Sequence, residues 1–370
     1  MADPTGIRHE IRAFLQTEKD AGSFVPQCNS WIDGHDPSFS RKLGARGWIG
    51  LTWPKRYGGG ERSAAERYVV LEELLAAGAP VAAHWFAERQ TGPSLLRFGT
   101  EEQRQELLPR IARGECFISI GMSEPDSGSD LASVRTKAIR VEGGWSLTGT
   151  KIWTSHAQRA HFLVALCRTR ARSEFRHEGL TQFIVDLRAP GVEVNPIAMM
   201  SHEYHFSEVV LDSVFVPDGM LLGREGDGWQ QVNAELQFER SGPERFLSTF
   251  PLLSTLAAQF DDAHDNSNDA RLGSLIARLS SLRSMSRSVI EQDTVGSSGV
   301  GAAIVKDLGS QFENLVVDEA GAMAPRALLR DAPTSFDELL TRSILAAPTF
   351  TIRGGTTEIL RGIIAAGLRP

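Results

Sequence analysis

The chain is poor in cysteine and lysine and has no long apolar run, and each shortage narrows what it can be. Its 370 residues include only Cys28, Cys116 and Cys167, far apart and without metal-ligand spacing. That usage fits a reducing cytoplasm. No apolar run approaches the 18 residues of a membrane span. The opening MADPTGIRHEIRAFLQ lacks the charged-then-apolar layout of a signal peptide and reads directly into a helix, so a cytoplasmic location is expected. Only six of the 39 basic residues are Lys, and with abundant Ala and Gly this is a bias associated with GC-rich bacterial sources. No Gly-x-Gly-x-x-Gly follows a strand, so a Rossmann dinucleotide site is unsupported. Among nine His, the spacing His202-x-x-His205 lacks a third ligand, and no metal site is expected. A net charge of −7 argues against nucleic-acid binding as the main task.

What remains is an ordinary globular composition, 41% hydrophobic, on a chain long enough for more than one domain. Residues 1–115 read as helical. Ile7, Ile11, Phe14 and Leu15 form an apolar stripe, and Ser63-Ala64-Ala65-Glu66 and Thr100-Glu101-Glu102-Gln103 are capping boxes that open helices. From 116 to 217 the period changes to strands, notably 162–166, 181–187 and 209–216. From 218 to 370 helices return, one carrying Leu272, Leu275, Ile276, Leu279, Leu282 and Met285, another Ile304, Leu308, Phe312, Leu315 and Val316. Asp261–Asp269 and Ser297-Ser298-Gly299 read as loops. The order predicts an α+β protein: an N-terminal helical domain (1–115), a middle antiparallel β-barrel or sandwich (116–217) and a C-terminal helical bundle (218–370).

The most informative stretch is Cys116 to Ser155. A short strand runs into Ser123-Glu124-Pro125-Asp126-Ser127-Gly128-Ser129-Asp130, and two strand-like pieces joined across Glu142-Gly143-Gly144 end on Ile152-Trp153-Thr154-Ser155. Two readings stand. It is a hairpin with a decorated loop, or a ligand site whose small residues and N–H groups suit phosphate and whose Trp and hydroxyls suit a flat heteroaromatic ring.

Met-Ser-Glu-Pro-x-x-Gly-Ser-Asp followed by Leu-Thr-Gly-x-Lys-x-Trp-Thr-Ser resembles the flavin-binding signature of the acyl-CoA dehydrogenase family. Gly-Trp-x-Gly-Leu-x-Trp-Pro at 47–54 and Glu72-Glu73-Leu74 resemble its N-terminal domain, and the likeness covers nearly the whole chain. The resemblance implies that this is an FAD enzyme with a C-terminal four-helix bundle. It places Ile120, Met122, Ser123, Ser129, Trp153, Thr154 and Ser155 on the flavin and pyrophosphate, and Thr356, Thr357 and Glu358 among the C-terminal cofactor contacts. Ser155 is then the hydroxyl donor near N5 and Trp153 the packing wall, with Ser129 also serving the CoA substrate. The Arg-rich run Arg168–Glu178 reads either as a solvated loop or as a CoA-phosphate patch.

Dehydrogenation beside a thioester needs a base for the α-proton and donors for the thioester oxygen, converging on one carbonyl. The family's usual base position falls on Gly354, which cannot supply a carboxylate but keeps its backbone N–H as a donor. A minority of the family carries the base in a Glu-Arg pair on an earlier helix, and Glu239-Arg240 matches it. Val232, Leu236 and Glu239 share one helical face, and Arg240 is implied to order the substrate pocket. The alternative is a surface Glu within a charged run. Expected partners are an acyl-CoA substrate and an electron-transferring flavoprotein. The assembly is expected to be a homo- or hetero-oligomer, a dimer of dimers. The Phe-Gly pair that the family lends to a neighbour's FAD is missing around 261–275, and Gly-Gly-x-Gly is degraded to Ala320-Gly321-Ala322-Met323-Ala324. A homologous second subunit is therefore expected. Two rivals share the fold: a flavin monooxygenase or nitroalkane-oxidase-like enzyme, and a non-catalytic partner subunit.

Overall fold

A computed structural model describes residues 4–171, 174–260, 266–292, 299–324 and 334–368, with the backbone alone at 4–5, 236–239, 260, 266–267 and 292. Helices α1 (Pro4–Asp20), α2 (Ser30–Asp33), α3 (Pro37–Ala45), α4 (Ala64–Ala76), α5 (Ala82–Phe86), α6 (Gly92–Phe98) and α7 (Glu101–Ala112) come first, with a π-helical turn at Ala87–Thr91. Strands β1 (Ile118–Gly121), β2 (Lys137–Val141), β3 (Gly144–Ser155), β4 (Phe162–Arg168), β5 (Leu180–Asp186), β6 (Val192–Ile197), β7 (Phe206–Pro217) and β8 (Leu221–Leu222) follow. The chain then returns to helices: α8 (Gly228–Arg240), α9 (Phe250–Phe260), α10 (Asn266–Gln292), α11 (Val300–Met323), α12 (Ser335–Phe350) and α13 (Thr357–Gly367). The expected order of helices, strands and helices is observed.

The chain falls into two compact units. One comprises residues 1–35, 62–81 and 239–370; the other comprises 36–61 and 82–238. The second unit is built on one sheet, ordered β6-β7-β3-β2-β4-β5-β8 with β1 beside β4. Most pairings are antiparallel, as expected, but β1 and β2 each meet β4 in parallel. Strands β4 and β5 are buried on both faces, which is why β4 reads as an apolar run and why β5 buries Thr181 and Gln182 beside Phe183, Ile184 and Val185. Leu163, Ala165, Phe183 and Val185 join Trp145, Leu147, Val209 and Leu211 in one core, whereas Leu166 and Leu180 meet Val134 and Val232 in another. The sequence did not suggest β6, because Pro196 interrupts it. The strand tolerates proline because it lies at the sheet edge and pairs only with β7.

In the first unit, Ile11, Phe14, Val70, Leu74, Leu252, Leu256, Val305, Phe312, Val316 and Leu340 are buried. Both expected capping boxes form, Ser63 with Glu66 and Thr100 with Gln103. Residues 261–265 lie outside the described residues. Helix α10 begins at Asn266, so the rest of the expected loop is its first turn. Short Asn, Ser and Asp side chains favour that position. Of Ser297-Ser298-Gly299 only Gly299 is described, left-handed (φ 66°) immediately before α11.

Candidate active site

The loop after β1 is fastened to β3 by a buried ion pair. Lys151 Nζ donates to Glu124 Oε1 at 2.8 Å and to Met122 O at 3.3 Å. Glu124 also accepts from Arg135 N (2.6 Å) and Thr136 N (2.8 Å). Burial alone pushes this carboxyl up. The Lys151 ammonium and the N–H donors outweigh it and hold Glu124 below the usual carboxylate range. Ser123 is tied to β3 through its carbonyl, which accepts from Ile152 N at 3.0 Å. Glu124 and Ser127 close a tight turn by exchanging backbone bonds, so Gly128 and Ser129 stand at an exposed tip where a Cβ on Gly128 would meet nothing. Met122 is part-buried against Val134 and Leu166.

At the end of β3 the register with β7 shifts between Lys151 and Thr154. Trp153 occupies the irregularity at φ 58°, an unusual angle for a bulky residue, and its indole is 54% exposed. Phe206 supports it edge-on at 5.8 Å. The next residue, Thr154, is fully buried, and its Oγ1 has no partner among the described residues. Ser155 is part-buried, and its carbonyl accepts from Ser119 Oγ at 2.7 Å.

In the other unit, the turn between α12 and α13 carries Gly354 (φ 68°) and Gly355 (φ 100°), left-handed angles that favour glycine. Ile352 N and Arg353 N donate to Thr349 O, and Thr357 N donates to Thr351 O. Among the described residues, the Gly354 and Gly355 N–H groups take no part in these backbone bonds. Arg240 Nε, at the end of α8, donates to Gly354 O at 3.3 Å. The Arg240 side chain thus reaches the turn that carries Gly354. The Glu239 side chain lies outside the described residues. Thr356 caps α13, its Oγ1 accepting from Ile359 N at 3.4 Å. Glu358 sits in the first turn, held low by bonds from its own backbone N–H and the Thr356 hydroxyl.

Residues 3–115, 119–214 and 259–369 match the family models described as the N-terminal, middle and C-terminal domains of acyl-CoA dehydrogenase. The chain belongs to the acyl-CoA dehydrogenase family of oxidoreductases. It is 34% identical to acyl-CoA dehydrogenase IpdE1 of Mycobacterium tuberculosis over 99% of this chain and 97% of that one. It is also 34% identical to acyl-CoA dehydrogenase FadE34 of the same organism, over 88% of this chain but 45% of that one. The solved Tcur3481-Tcur3483 steroid ACAD superposes with a TM-score of 0.87 at 26% identity, covering 100% of this chain and 98% of that one. The ChsE4-ChsE5 complex from Mycobacterium tuberculosis gives 0.83 at 26%, with the same coverage.

Acyl-CoA dehydrogenases are generally FAD-dependent, and the resemblance read from the motifs is confirmed. The structure brings Ile120, Met122, Ser123, Ser129, Trp153, Thr154 and Ser155 into one unit, and Arg240, Gly354, Thr356, Thr357 and Glu358 into the other. The described arginines of the Arg-rich run have partners within this unit. Arg168 donates to Val134 O, Glu178 O and Ala132 O, Arg170 pairs with Glu225, and Arg176 pairs with Asp130. Sequence reasoning missed the Lys151–Glu124 pair, although both residues stand inside the motifs. A Lys in a strand otherwise reading inward was the available signal. It also missed Arg353, which directly precedes Gly354 and whose side chain is largely enclosed.

Proposed function

We propose that this chain dehydrogenates an acyl-CoA thioester to the trans-2-enoyl-CoA, using FAD and passing the electrons to an electron-transferring flavoprotein. The observation that carries this reading is the Arg240–Gly354 hydrogen bond. It ties the helix end that carries Glu239-Arg240 to the turn of Gly354, which supports Glu239 as the replacement for a base there. Glu239 takes the α-proton onto its carboxylate. The Gly354 N–H donates to the thioester oxygen and stabilises the enolate-like charge that builds there as the proton leaves. Bound FAD supplies the acceptor for the β-hydride. The residues fit that cofactor: Trp153 offers an exposed packing face, and the Gly128-Ser129 tip is open to a phosphate.

Because the similar Tcur3481-Tcur3483 protein is a steroid ACAD, polycyclic acyl-CoA thioesters are the first substrates to assay, beside straight and branched chains. Mixing the flavin-loaded protein with each thioester without oxygen tests the reading. Bleaching of the flavin with appearance of the 2-enoyl product is expected. Turnover that requires oxygen would point instead to a monooxygenase.

A second subunit belongs to the same proposal. Arg271, a candidate to clamp a neighbour's adenine, is already paired with Glu319 at 2.9 Å, and α11 ends in Ala-Gly-Ala-Met without the family's glycine run. Co-expression with a homologous chain is expected to raise FAD per chain and activity together. A homotetramer with one FAD per chain and full turnover would refute the pairing.

A further inference from the structure

The turn that carries Gly354 is fastened largely from helix α11. Three ionisable side chains of α11 reach it or the elements on either side. Lys306 Nζ donates to Phe350 O at 2.7 Å, Asp307 Oδ2 accepts from Arg361 Nε at 3.3 Å, and Glu313 Oε2 accepts from Arg353 Nη2 at 3.4 Å. Lys306 and Glu313 are each 1% exposed, and their seven-residue spacing puts them on one face of the helix. Arg353 is the centre of the set. Its guanidinium lies over the rings of Trp31 (4.6 Å) and Phe350 (4.8 Å) and donates to Ser248 Oγ (2.9 Å) and to Asn29 Oδ1. The other oxygen of Glu313 accepts from Ser248 N at 2.9 Å, and Ser248 O accepts from Asn29 N at 2.7 Å. Burial pushes the Arg353 guanidinium down to about 10, opposed by Glu313, so it stays charged at neutral pH.

Two consecutive glycines are the least constrained pair a chain can offer, so local sequence does not fix where their N–H groups point. A guanidinium as largely enclosed as that of Arg353 (12% exposed) is tolerated when paired and hydrogen-bonded, which makes its position well defined. Arg353 therefore supplies the residue before the glycines with the fixed orientation that Gly354 lacks. We propose that the Glu313–Arg353 pair is a positioning device, holding the Thr351–Gly355 turn so that the Gly354 N–H is presented to the thioester oxygen. The role assigned to that N–H rests on the dehydrogenase reading above; the bracing of the turn does not.

The test uses the full chain with FAD bound and the variants Arg353→Lys, Arg353→Met and Glu313→Gln. Hydrogen exchange followed by mass spectrometry over residues 349–357 needs no substrate. Exchange at least tenfold faster there, with α7 unchanged, is expected in all three, and unchanged exchange overturns the proposal. Should Arg353→Met fail to fold, Arg353→Lys and Glu313→Gln, which conserve volume and polarity, decide the matter. The second readout compares an acyl-CoA thioester with a CoA thioether of the same chain that lacks the carbonyl oxygen, each titrated against the flavin spectrum. The variants are expected to lose about tenfold in affinity for the thioester only, the scale of one hydrogen bond. Equal loss for both ligands, or none, overturns the positioning role. A wild-type protein that binds thioester and thioether alike contradicts the dehydrogenase reading, while the exchange measurement still decides whether the pair braces the turn.

Discussion

Replacing Lys151 by Met tests whether the flavin-side loop is held by its buried ion pair. Lys151 is fully buried, and its ammonium bonds Glu124 Oε1 at 2.8 Å and Met122 O at 3.3 Å. Breaking a buried pair by removing one partner costs about 3–5 kcal/mol. Removing the cation leaves Glu124 its two backbone donors, Arg135 N and Thr136 N, so Lys151→Met belongs at the low end, about 3 kcal/mol. Glu124→Ala strands a buried ammonium and two N–H groups at once and belongs at the high end, about 5 kcal/mol. For a unit of about 150–250 residues each kcal/mol moves the midpoint by roughly 2–4 °C, so Lys151→Met is expected to lower Tm by roughly 6–12 °C and Glu124→Ala by more. Differential scanning calorimetry of the flavin-loaded protein reads both. A shift below about 2 °C for Lys151→Met, or a smaller loss for Glu124→Ala, would refute the reasoning.

The same pair sets a pH dependence. Since the folded Glu124 pKa is depressed, its contribution is fully present above the ordinary glutamate value of about 4.3 and is lost as pH falls through the folded value. An acid titration of Tm should therefore fall less steeply in Lys151→Met than in wild type, and parallel curves would contradict this. Trp153→Ala removes an indole that is already half exposed, so Tm of the apoprotein should move little while FAD retention falls; full FAD occupancy would make Trp153 ordinary packing. Gly355→Ala forces a side chain to φ 100° although its Cβ would find ordinary contact with Arg240 at 3.4 Å. A loss of about 1–2 kcal/mol from backbone strain is expected in chemical denaturation, and a neutral result would show that the turn relaxes.

The helices were legible wherever caps and period agreed, as at Ser63–Glu66 and along α11. The strands β4, β5 and β7 were legible because segments rich in β-branched and apolar residues stood between turn residues. What stayed hidden depended on long-range pairing. Pro196 concealed an edge strand, and the first turn of α10 looked like loop because cap-forming residues look the same in either setting. The cofactor loop was read through motif residues, but its fastening was not, since Glu124 and Lys151 are 27 residues apart and acquire meaning only when β3 returns beside β1. Arg353 was missed for a similar reason. An Arg in a polar turn reads as exposed, and only the spacing of Trp31, Ser248 and Glu313 in three dimensions shows why it is drawn inward.

The central claim is that Glu239 replaces the base missing at Gly354. Anaerobic stopped-flow reduction of bound FAD by an acyl-CoA, compared between wild type and Glu239→Gln, tests it most directly. The variant should retain FAD and bind the thioester, with reduction slowed on the order of 10²–10⁴-fold. Moving a carboxylate back, in Glu239→Gln with Gly354→Glu, should restore part of that rate. A Glu239→Gln enzyme reduced within tenfold of the wild-type rate would contradict the account.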